Sequence, residues 1–104
     1  MHAYEMIFIV HPSVDEDGLA AVIDRVKTLI ERDGGKIDAV EPWGSRRLAY
    51  PIQKQWDGRY VLIRFDLPAD QVTSLKRDLG LTEEIMRHLI VRTEEEPKAK
   101  PADG

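Results

Sequence analysis

Two hydrophobic periods take turns along the chain. "AYEMIFIV" is a β-branched and aromatic run ending at "HPS", which reads as a mostly buried strand followed by a turn. Leu19, Val22, Ile23, Val26 and Ile30 then recur at three- and four-residue steps, one apolar stripe of a helix that Gly34 and Gly35 stop. Ser13 and Glu16 have capping-box spacing, with Asp15 and Asp17 suited to the positive helix end, so the helix is expected to start from Ser13. "KIDAVEPWGSRRLAYPI", interrupted by Pro42, Gly44 and Pro51, predicts a bent or bulged strand at a sheet edge, where prolines are tolerated. "KQWDG" predicts an Asp-Gly turn into "RYVLIRFDL", which alternates Val61, Ile63, Phe65 and Leu67 against Tyr60, Leu62, Arg64 and Asp66. Pro68 and Asp70 open a second helix with Val72, Leu75 and Leu79 on one face and Gly80 at its end. The bulky apolar residues of "IMRHLIVRT" favour a last strand.

The order strand, helix, strand, strand, helix, strand, with right-handed crossovers, predicts an α+β fold. It is the ferredoxin-like split βαβ: a four-stranded antiparallel sheet with two helices on one face. Residues 1–93 make the domain, and 94–104, "EEEPKAKPADG", read as a flexible polar tail. The second sheet face then has no helix over it. Glu5, Ile7 and Ile9, with Tyr60, Leu62 and Arg64 and with Leu89 and Val91, are expected there, and so apolar a face suggests a partner surface.

Composition narrows the function. With 104 residues, 42% hydrophobic and 33% charged, the chain has the make-up of one soluble domain. No apolar run approaches membrane-spanning length and "MHAYEMIFIV" lacks the features of a signal peptide, so the expected place is the cytoplasm. The absence of cysteine fits a reducing compartment and removes thiolate chemistry and Cys-based zinc sites. A formal charge of -4 argues against indiscriminate binding of nucleic acid. Yet Arg46, Arg47, Lys54, Arg59 and Arg64 cluster against the single acid Asp57, so positive charge is local and the other surfaces repel a polyanion.

Catalytic chemistry is not visible. Ser13, Ser45 and Ser74 sit in no nucleophile motif, and His2, His11 and His88 are too dispersed for a local metal motif. "DGG" ends a helix and does not begin one, so it is no phosphate loop. Neither enzyme activity, cofactor, metal nor small-molecule substrate is expected. The informative stretch is "WGSRRLAYPIQKQWDGRY", where arginines alternate with Trp43, Tyr50, Trp56 and Tyr60. Arginine pairs bidentately with phosphate and stacks on bases, and rings beside basic groups hold irregular RNA.

"YE" in the first strand, "WGSRRLAYPI", the following lysine and "RHLIVRT" together resemble the family of ribosomal protein six of the bacterial small subunit, over roughly residues 2 to 93. The resemblance implies the split βαβ fold and a structural role in the ribosome. It further implies binding to the central domain of small-subunit ribosomal RNA, cooperatively with ribosomal protein eighteen. On this basis Tyr4, Arg46, Arg47, Lys54, Arg87 and Arg92 are expected to meet RNA. Ile7, Ile9, Leu48, Tyr50, Tyr60, Leu62, Leu89 and Val91 are expected to meet the partner protein. Two rivals share the topology: an acylphosphatase-type enzyme, whose phosphate loop "HPSVDED" would be too acidic to provide, and a ligand-sensing regulatory domain. Neither accounts for the basic aromatic hairpin.

Overall fold

Strand alternation and helix stripe converge on one core. In β1 (His2–Val10) Tyr4, Met6, Phe8 and Val10 point to the same side and are all buried. In α1 (Glu16–Arg32) Leu19, Val22, Val26 and Ile30 cover that side. β2 (Lys36–Ile52) and β3 (Gln55–Leu67) follow, and β3 adds Val61, Ile63, Phe65 and Leu67 to the core. A 3-10 turn (Ala69–Gln71) leads into α2 (Val72–Gly80), which contributes Leu75 and Leu79, and β4 (Ile85–Arg92) closes the chain. Each fully buried apolar side chain contributes about 1.5–3 kcal/mol relative to exposure. This structure, a computed structural model, describes residues 1–93; the expected tail at 94–104 lies outside the described residues.

The sheet order is β2-β3-β1-β4 with every pair antiparallel, the ferredoxin-like arrangement. β2 is an edge strand, as its prolines require, and its register with β3 shifts at three places: between Ile37 and Ala39, Pro42 and Gly44, and Arg47 and Ile52. At the second shift Gly44 takes φ +86°, a left-handed conformation that side chains disfavour. The third shift is the largest. Arg47 pairs with Asp57 and Ile52 with Gln55, so residues 48 to 51 stand opposite Trp56 alone and arch out of the ladder.

Two local expectations are corrected. The helix cap is Asp15, whose Oδ1 accepts from the Gly18 amide at 2.8 Å, while Ser13 Oγ bonds His11 Nδ1 at 2.8 Å. A turn closed by the Val14 amide on His11 O, at 3.0 Å, places Ser13 before the helix entry. The hairpin turn is at Gln53 and Lys54, with φ 51° and 66°, and not at Asp57-Gly58. Gly58 lies within β3, buried, where a Cβ would overlap Ile9 Cγ2, so its glycine serves a close approach and no turn.

His88 pairs with Phe8 on the helix-facing side of β4, and burial, reinforced by Lys76, lowers its pKa from the ordinary 6.5. The folded chain then binds a proton less readily than the unfolded one. The contribution is complete above the unfolded value and is lost as pH falls below it. Denaturant titrations should therefore show stability declining below about pH 6.5 less steeply in His88→Leu than in the parent. Equal slopes would remove this role.

Candidate nucleic-acid interface

What holds each arginine decides which of them can act outward. Arg25 pairs with Glu84 at 3.1 Å, Arg32 with Asp33 and Asp78 at 3.0 and 2.6 Å, and Arg59 with Glu16 at 3.2 Å. Arg64 reaches both Glu5 and Glu41 at 2.8 Å. Its hydrogen bond to Glu5, above all, raises its pKa beyond the usual arginine value, and the two carboxylates leave that end of the sheet face net negative. Two of the five basic residues in the sequence cluster, Arg59 and Arg64, are thus neutralised internally.

Arg46, Arg47 and Arg87 are held differently. Among the described residues none of them has a carboxylate partner. Arg46 Cζ lies 5.9 Å from the Trp43 ring centroid, Arg47 Cζ 5.3 Å from that of Trp56, and Arg87 Cζ 5.6 Å from that of Tyr50. Arg87 Nη1 also donates to the Tyr50 hydroxyl at 2.6 Å, and Trp43 stacks on Tyr60 at 6.3 Å with an interplanar angle of 9°. A ring attracts a cation by about 0.5–1 kcal/mol at an exposed site without neutralising it. The guanidiniums are therefore oriented with their charge intact, the condition for pairing with phosphate.

The folding of β2 brings these groups together. The arch at residues 48 to 51 carries Tyr50 across the sheet to Arg87 on β4, 37 positions later in the chain. It also lays Leu48 over the sheet, so that Ile9, Leu48, Ala49, Tyr50, Ile52, Tyr60 and Arg87 line a half-open cleft of about 190 Å³. Beyond the cleft Ile7, Leu89 and Val91 share the helix-free face, and Leu89 is 60% exposed.

A family model described as ribosomal protein S6 matches residues 3–92. The chain belongs to the ribosomal protein S6 family. Small ribosomal subunit protein bS6 of Clostridium perfringens is 43% identical over 95 residues, which cover 91% of the chain and 100% of the relative. The bS6 protein of Clostridium kluyveri is 44% identical over 94 residues, 90% and 99% of the two chains. The crystal structure of 30S ribosomal protein S6 from Thermotoga maritima superposes with TM-score 0.83 at 37% identity, covering 88% and 86%. The solution structure of the C-terminal domain of MgtC from Mycobacterium tuberculosis, at TM-score 0.50 and 13% identity, shares the fold alone. The family places the chain in the small ribosomal subunit.

Measured against that role, the structure separates residues the sequence had grouped. Arg46, Arg47 and Arg87 share the hairpin end, and Lys54 is exposed at its turn. Tyr4 does not join them: it is 6% exposed and stacks on Phe65 within the core, because even-numbered β1 residues face the helices. Arg92 is also elsewhere. It pairs with Tyr4 on the helix-facing side and meets His2 Nδ1 at 2.7 Å, five residues along β4 from Arg87, or about 17 Å at strand rise.

The partner set divides too. Tyr50 and Leu89 are exposed and Ile7, Tyr60 and Val91 half-buried. Ile9, Leu48 and Leu62 are buried in the chain itself, Leu48 and Ile9 through the β2 arch and Leu62 midway between Ile7 and Glu41. Trp43 and Trp56, which fix two of the arginines, were visible in the sequence only as aromatics interleaved with positive charge. Among the described residues no His, Cys, Asp or Glu cluster could hold a metal, and no helix is long and apolar enough to cross a membrane.

Proposed function

We propose that the chain binds the central domain of small-subunit ribosomal RNA through Arg46, Arg47, Arg87 and Lys54. In this reading ribosomal protein eighteen docks on the helix-free sheet face around Ile7, Tyr60, Leu89 and Val91. The observation that carries it is the placing of arginines on rings: those of the hairpin end rest on aromatic side chains with their charge unspent, Arg25, Arg32, Arg59 and Arg64 are neutralised by carboxylates, and Arg77, exposed on α2, has neither a ring nor a carboxylate against it among the described residues. Phosphates provide the missing anions. Specificity then comes from the shape of the RNA and from the neighbouring protein, since phosphate contacts carry no sequence information.

The test is salt. Four cations without carboxylate partners should release about three counterions, so log affinity should fall with log salt at a slope of about -3. Each of Arg46→Ala, Arg47→Ala and Arg87→Ala should reduce the slope by about one and weaken binding by about 0.5–2 kcal/mol. Cooperative unfolding should persist, because solvated charges rarely hold a fold together. A filter-binding titration with both proteins present measures this. A slope near zero would remove the phosphate role, and variants that fail to fold would reassign the arginines to structure.

A further inference from the structure

The two tryptophans are placed unequally. Trp43, 39% exposed, has one ring face taken by its own protein, parallel to Tyr60 at 6.3 Å, with Arg46 beside it and Arg46 Nε bonded to the Trp43 carbonyl at 3.4 Å. Tyr50 is pinned through its hydroxyl by Arg87. Trp56 has Arg47 5.3 Å from its ring centroid, no aromatic neighbour among the described residues, and 47% of its surface exposed. Its position is fixed from below by the register, since it is the single β3 residue facing the arch at 48 to 51. Asp57 is the cross-strand neighbour of Arg47, yet no salt bridge forms between them, and the guanidinium lies against the indole instead. Lys54, two residues back, is exposed in the left-handed turn.

An indole with a cation against its ring, nearly half its surface exposed and an exposed lysine two residues away matches one ligand well. A nucleobase can stack on the exposed ring while its flanking phosphates meet Arg47 and Lys54. A duplex cannot use this arrangement, because its bases are already stacked. We propose that Trp56 is a stacking platform for an unpaired base of the bound RNA, with Arg47 as its positioning residue. This deepens the RNA-binding reading above and rests on it.

The chain has two tryptophans, so Trp43→Phe leaves Trp56 as the sole indole reporter. Added central-domain RNA should quench that fluorescence, and a fully paired RNA duplex of equal charge should not. Trp56→Leu should weaken binding of the central-domain fragment, with the partner protein present, by about tenfold, and Trp56→Phe should recover most of the loss. Duplex affinity should be the same in all three. Unchanged affinity in Trp56→Leu, alongside weakened Arg47→Ala, would overturn the platform while leaving phosphate binding intact. A loss confined to binding of the partner protein without RNA would make Trp56 a protein contact and overturn it equally. Failure of the parent chain to bind any of these RNAs would overturn both this inference and the reading beneath it.

Discussion

Titrated alone against a central-domain RNA fragment, the chain should bind weakly, and adding ribosomal protein eighteen should raise its affinity by about tenfold to a hundredfold, the usual size of a coupling free energy. The physical ground is charge. At -4 overall, the chain presents four outward cations on one end and a remainder of net negative charge, so phosphate neutralisation is small and repulsion from the rest opposes it. A basic partner docked on the helix-free face would bring the missing charge next to Arg87. Leu89→Asp should abolish most of that gain, because Leu89 projects from the face at 60% exposure and a carboxylate there must be desolvated when the partner docks. Leu62→Asp is the wrong probe. Leu62 is 4% exposed in the free chain, so its loss would report unfolding. Filter binding with each protein alone and with both gives the answer, and equal affinity with and without the partner would sink the cooperative reading.

Tyr4→Ala should cost about 3 kcal/mol of stability, within the range for removing a buried aromatic ring. For a domain of this size that lowers the melting temperature by roughly 12–24 °C. Tyr4 stacks on its cross-strand neighbour Phe65 at 5.6 Å within the core that the two helices cover. Affinity for RNA, measured where the variant is fully folded, should be unchanged. The opposite pair of results, a stable variant that binds RNA poorly, would return Tyr4 to the RNA surface that the family resemblance suggested for it.

Much of this is legible in the residue pattern alone. The alternation in β1 and β3 and the stripe Leu19, Val22, Val26 and Ile30 name the core correctly, because burial depends on which side a residue faces and periodicity reports that directly. Pro42 and Pro51 likewise marked β2 as an interrupted edge strand. Local signals that several residues could satisfy were less decisive. Ser13 and Asp15 both suit a cap, and the turn at His11 to Val14 selects Asp15. Asp57-Gly58 has a hairpin sequence, but contact with Ile9 claims the glycine and the turn falls at Gln53 and Lys54.

Residue order and periodicity suffice for the fold, the core faces and the presence of a basic aromatic hairpin in an acidic chain. Which charges remain available depends instead on long-range packing. Glu16 reaches Arg59 across 43 positions and Glu5 reaches Arg64 across 59, and no local pattern encodes such pairs. The same holds for Tyr50 meeting Arg87, which depends on how far an arch of β2 leans over the sheet. Core membership follows from a residue's own period, whereas the state of a charge depends on what a distant segment places within about 4 Å of it.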